Sequence, residues 1–200
     1  MFVITADQVN SREEPDAVRG MIARLTADIG DALPLPPDRS AGDEMQVLVP
    51  DAGIALRAIL QLTRAGGWSV GLGIGSVREP LGTSIRESTG PAFIAARGAV
   101  ERAKAKPSRF AVEGEDARPE VADTEALIDL LLLLRARRTA EGWELHDLLS
   151  EGLTQGQAAK RLGITPQAAS DRARAAELRA EAAVTPALVR LLGKLEGDGS

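Results

Sequence analysis

The hydrophobic pattern predicts an α+β domain followed by a small all-helical one. Over the first 113 residues short alternating apolar runs are interleaved with helical repeats. A charged stretch containing Pro119 comes next, and beyond Thr124 the spacing is helical throughout.

The elements follow in order. Phe2 to Asp7 is apolar with β-branched Val3 and Ile4, which predicts a buried strand ending in a carboxylate. From Pro15 to Leu33, Val18, Ile22, Leu25 and Ile29 recur at helical spacing until Pro34, Pro36 and Pro37 stop the helix. Gly42-Asp43 is a turn signal, and Met45, Val47 and Val49 alternate with Gln46 and Leu48. A β-hairpin with carboxylates at its tip is expected. Asp51 caps a second helix with Ala55, Ile59 and Leu62 on one face, ended by Gly66-Gly67. Trp68, Val70, Leu72 and Ile74 then alternate with Ser69, Gly71, Gly73 and Gly75, a strand with one bare face that a helix or a ligand approaches closely. A third helix after Gly90-Pro91 has Phe93, Ala96, Val100 and Ala103 inward and Arg97, Glu101 and Lys104 on its polar side. Arg109 to Glu113 is the last strand. The domains expected are therefore 1–113, a linker over 114–123, and a helical domain over 124–200.

Composition narrows the function. A chain of 200 residues can bury a sizeable core, while a net charge of −5 excludes gripping nucleic acid by bulk electrostatics; any DNA contact must be local. With no Cys and a single His, His146, zinc fingers, disulfide frameworks and Cys nucleophiles are excluded. Aromatic residues are 2% of the chain and Tyr is absent, which removes the stacking platforms of single-strand binders. Met1 to Ala6 is too short for a secretory signal or a membrane span, so a cytoplasmic protein without a membrane partner is expected.

A strand-terminal Asp7 and the hairpin pair Asp43 and Glu44 can bring three carboxylates to one sheet edge. Magnesium or manganese takes hard oxygen ligands and is completed by waters and substrate phosphates, so these residues are candidate metal ligands against a nucleotide triphosphate, as in palm-type domains. The plainer alternative is a Gly-Asp turn with a solvated Glu44. Ser11 and Arg12, just beyond Asp7, are a candidate phosphate contact, because arginine presents a fork suited to phosphate oxygens; an exposed loop arginine is the alternative.

The blocks Asp7-Gln8-Val9-Asn10-Ser11-Arg12, Ala41-Gly42-Asp43-Glu44-Met45-Gln46, Gly71-Leu72-Gly73-Ile74-Gly75, Gly90-Pro91-Ala92-Phe93 and Ala96-Arg97 run in the order of the SatD family, which residues 1 to 113 resemble over nearly their whole length. More distantly they resemble the palm domains of GGDEF diguanylate cyclases and class III nucleotide cyclases. That resemblance implies a palm-like (ferredoxin-like) sheet, Asp7 as the first-strand metal aspartate, Asp43 and Glu44 as the acidic hairpin pair, and Arg97 and Lys104 as cations for nucleotide phosphates. Ala41 stands where the hairpin motif of those cyclases has its first glycine.

In the helical domain Thr154-Gln155-Gly156-Gln157 has the form of a capping box, Ala158, Ala159 and Leu162 an inner face, Gly163 a turn, and Thr165-Pro166 a second helix start. Residues 153–176 thus read as a helix-turn-helix and resemble those of bacterial regulators and sigma-type DNA-binding regions. Gln167, Ser170, Asp171 and Arg174 are the candidate contacts to double-stranded DNA. Leu127, Leu130, Leu131 and Leu134 form an apolar face for a twin subunit or for burial within the chain. The function expected is a DNA-binding regulator whose palm-like domain binds a nucleotide with divalent metal, acting as a homodimer. The alternatives are a nucleotide cyclase or nucleotidyltransferase, and a non-catalytic interaction adaptor.

Overall fold

The computed structural model describes residues 1–9, 17–114, 116 and 118–197. Two compact units are formed, Met1–Asp129 with Leu188–Ser200, and Leu130–Ala187.

The first unit is built on a mixed five-stranded sheet. The strands are β1 (Phe2–Gln8), β2 (Asp38–Ala41), β3 (Glu44–Val49), β4 (Trp68–Ile74) and β5 (Phe110–Gly114), in spatial order β2-β3-β1-β4-β5. The β1 strand runs antiparallel to both β3 and β4, whereas β4 and β5 are parallel. Three helices accompany them: α1 (Ala17–Ile29), α2 (Ala52–Ala65) and α3 (Pro91–Ala103). The strand and helix order follows the sequence pattern element by element.

Alternation decides the layers. On one face Phe2, Ile4, Val47, Val70 and Leu72 are fully buried, and α1 and α2 pack against these strands. On the other face Gly71 and Gly73 remove the side chains of β4. A Cβ at Gly71 would lie 2.2 Å from the Val100 nitrogen, and one at Gly73 2.0 Å from the Ala92 carbonyl oxygen. The bare face therefore receives α3, not a ligand. Val3, Leu48, Ile85, Ala92 and Ala96 close the core there.

Several boundaries differ from expectation. The first helix ends at Ile29, and Gly30–Ala32 tightens into a single 3-10 turn before Leu33 turns extended, so the helix stops short of Leu33. Its buried face uses Met21, with Ile22 half-buried. The expected linker over 114–123 is helical from its middle, because α4 (Pro119–Ala136) starts with proline at a position where no amide partner is needed. On α4 the buried residues include Ile128, Leu131 and Leu132, while Leu127, Leu130 and Leu133 are exposed; the leucines expected to share one face are split between two.

The second unit contains α5 (Ala140–Ser150), α6 (Gln155–Leu162) and α7 (Pro166–Ala175), and α8 (Leu178–Gly197) runs through Pro186 back into the first unit. Leu145, Ala158, Ala176 and Leu178 form its core. No helix among the described residues is long and apolar enough to cross a membrane.

Candidate functional site

The face of the sheet that meets α3 becomes polar toward one end. Because side chains alternate, Val3, Thr5 and Asp7 share that face, and the register sets each against a defined partner: Leu48 and Gly73 beside Val3, Gln46 and Gly71 beside Thr5, Glu44 and Ser69 beside Asp7. Three rows thus run from apolar to ionic. Thr5 and Ser69 are fully buried and Gln46 nearly so, with Gln46 Nε2 donating to Thr5 Oγ1 at 3.4 Å.

The ionic row is completed from α3. Arg97 Nη2 lies 3.4 Å from Glu44 Oε1, which also accepts the Ser40 hydroxyl at 2.5 Å. Lys104, at the end of α3, bridges Asp7 Oδ2 at 3.1 Å and Glu101 Oε1 at 2.8 Å. These contacts hold the Lys104 ammonium above its ordinary value: the hydrogen bond it donates to Glu101 is the largest cause, partly opposed by burial and reinforced by Asp7. Arg109, which precedes β5 at φ +52°, donates to Ser69 Oγ at 3.2 Å and to the Lys104 carbonyl at 3.4 Å.

Of the predicted residues, Asp7, Glu44, Arg97 and Lys104 are brought together. Asp43 sits in the turn after Gly42, which takes φ +55°, and its carbonyl accepts the Gln8 amide at 3.2 Å. Ser11 and Arg12 lie outside the described residues. Among the described residues there is no group of three or more His, Cys, Asp or Glu arranged to hold a metal. The donor set is two hard carboxylates opposite each other on adjacent strands. Both are engaged in ion pairs, Asp7 with Lys104 and Glu44 with Arg97. Ser40, Thr5, Gln46, Ser69 and Arg109 are not marked as site residues by the sequence; for Thr5 and Gln46 the available signal was their spacing of two from Asp7 and Glu44.

In the second unit the Thr154 hydroxyl accepts the Gln157 amide at 3.3 Å, and Gln157 Oε1 accepts the Thr154 amide at 2.8 Å. Gly163, at φ +66°, ends α6; Thr165 then caps α7 by accepting the Ala168 amide at 3.1 Å. Ala158, Ala159 and Ala169 are buried between the helices. Gln167, Asp171 and Arg174 are exposed and Ser170 half-buried. Gln167 Nε2 donates to Asp171 at 3.2 Å and Arg174 Nη1 lies 3.1 Å from it, so Asp171 holds both neighbours along the helix.

A buried ionic cluster lies in the same unit. Glu181 pairs with Arg135 and, at 2.5 Å, with Arg138, whose side chain is 0% exposed; both guanidiniums stack on Trp143, 4.8 and 4.3 Å from its ring centre. Burial pushes the Glu181 carboxyl up, but His146 at 3.7 Å and the two arginines outweigh it and bring it down to about 2. His146, the only histidine, is thereby part of an internal scaffold.

The chain matches no protein-family model, no curated protein and no solved structure.

Proposed function

We propose that this chain is a DNA-binding transcriptional regulator of the SatD type whose sheet domain binds a nucleotide together with magnesium or manganese. The observation that carries the proposal is the pair α6 and α7, each with a hydroxyl cap, joined through left-handed Gly163, with Gln167, Asp171 and Arg174 exposed along α7. This is the arrangement a helix-turn-helix needs to present the start of its second helix to a major groove. The strand order β2-β3-β1-β4 with two crossing helices supports a palm-like, ferredoxin-like domain, and Asp7 opposite Glu44 beneath Arg97 and Lys104 supports a metal-nucleotide site at its edge. The exposed Leu127, Leu130 and Leu133 support pairing with a second copy, as two half-sites require.

Sensing ranks above catalysis because both carboxylates are held by cations and Ala41 stands where the hairpin motif of the cyclases has its first glycine. Selection of genomic fragments at physiological salt, with and without each nucleoside triphosphate and manganese, tests the proposal. Enrichment of a defined sequence is expected. Absence of enrichment under every condition would leave an interaction adaptor. A cyclic or dinucleotide product that disappears in Asp7→Asn would make the chain an enzyme.

A further inference from the structure

One face of α4 carries leucines left uncovered among the described residues. Leu127, Leu130 and Leu133 are 42%, 66% and 44% exposed, and Ala126 on the same side is exposed too. Single apolar side chains at a surface are ordinary, but successive turns of one helix presenting them in line are not. Rotation of about 100° per residue sets these residues within roughly 60° of Leu130, on the side away from buried Ile128 and Leu132. All belong to one continuous helix, so helical geometry alone fixes the stripe.

Charge frames the stripe. Asp123 precedes Leu130 by two helical turns and Arg137 follows it by two, in the turn that ends α4; both lie on the leucine face and both are exposed. Among the described residues neither side chain has a hydrogen bond or an ion pair. A face symmetric about one leucine, acidic at one end and basic at the other, is complementary to itself. Turned antiparallel about Leu130, a second α4 sets its Arg137 against Asp123, its Asp123 against Arg137 and its Leu133 against Leu127. Each contact is then made twice, as an isologous interface requires. A parallel pair would instead set Asp123 beside Asp123 and Arg137 beside Arg137, where like charges repel.

We propose that this face of α4 packs on the same face of a second copy of the chain, antiparallel about a two-fold axis at Leu130 and framed by two Asp123–Arg137 ion pairs. The inference rests on the pairing named in the functional reading above and gives it an orientation and a register. Asp123 and Arg137 stand about 21 Å apart along the helix at 1.5 Å per residue, so a slip of one turn in either direction loses both ion pairs together.

Sedimentation equilibrium of the full chain at sub-millimolar concentration reads the mass, with circular dichroism as the check on folding. Wild type is expected at twice 21.0 kDa. Leu130→Asp, which sets two carboxylates on the axis, should be monomeric with an unchanged helical signal. Asp123→Arg and Arg137→Asp should each weaken pairing about tenfold, because two exposed ion pairs become two repulsions, and the double swap should restore it. Single thiols report the register, since the chain has no Cys. Leu130→Cys should oxidise to a linked dimer, whereas Asp123→Cys, about 21 Å from its twin along the pair, should not. A monomeric wild type, a dimer that survives Leu130→Asp, or linkage through Asp123→Cys would overturn the proposal. The regulator reading is judged separately, because fragment selection can succeed with a monomer and fail with a dimer.

Discussion

One methyl group added at Gly71 would stand 2.2 Å from the Val100 nitrogen and 2.5 Å from the Ala96 carbonyl oxygen, both backbone atoms of α3 that no rotamer change can move. Gly71→Ala should therefore cost about 1 to 3 kcal/mol or more in urea unfolding, the range for overpacking a core. A loss below about 0.5 kcal/mol, the level of an unremarkable surface change, would mean that α3 is not seated on β4. Glu181 is the second sensitive residue. Glu181→Gln leaves Arg135 and Arg138 buried without their counter-charge, and about 3 to 5 kcal/mol of stability should be lost. The pH sign follows from the folded carboxyl lying at about 2, below its ordinary 4.5. Its contribution is fully present above 4.5 and declines as pH falls from there toward 2. Denaturation midpoints taken across that window should converge between wild type and Glu181→Gln; parallel curves would show that Glu181 does not carry the acid dependence.

Elements are held at their edges as much as at their faces. Among the described residues the outer edge of β5 has no strand beside it, and α4 supplies partners there: Glu125 Oε2 accepts the Val112 amide at 2.6 Å, while Arg102 and Lys106 lie 2.9 and 2.7 Å from the same carboxylate. Burial tends to raise the Glu125 carboxyl, but Lys106, the Val112 amide and Arg102 reverse this and hold it below the usual range. An edge strand so covered is protected from pairing with another chain. Glu125→Ala should cost about 1 to 3 kcal/mol, the penalty of an unsatisfied buried donor, and should speed hydrogen exchange at the Val112 amide above that at Leu72. Equal exchange at the two amides would place the edge protection elsewhere. The same cover explains why the charged stretch after β5 is not a free linker. Pro119 starts α4 there, and Arg118 Nη2 donates to the Leu195 carbonyl at 2.5 Å.

Across the whole molecule, a net charge of −5 works against bulk attraction to a duplex, so the proposed contact through α7 must be local. Nonspecific binding at physiological salt should be weak. On a selected fragment Gln167→Ala should cost about 1 to 3 kcal/mol, as loss of one base contact does. Arg174→Ala should instead weaken binding on all fragments and lower the salt slope by about 1, as loss of one phosphate contact does. Fluorescence anisotropy over a salt series separates the two; a slope unchanged by Arg174→Ala would remove its phosphate role. Much of this molecule is legible in its sequence. Alternation in Trp68 to Ile74, the Asp51, Thr154 and Thr165 caps, and the turns at Gly42 and Gly163 are set by contacts within a few residues, which sequence records directly. Asp7 and Glu44 were legible as candidates for the same reason. Only tertiary structure decided that they stand opposite each other with Arg97 and Lys104 upon them, that the bare face of β4 takes a helix, and that Glu181 lies between arginines 46 and 43 residues away. Strand register and helix placement depend on how distant segments fit, and a local period of 2 or 3.6 contains no term for a partner so far along the chain.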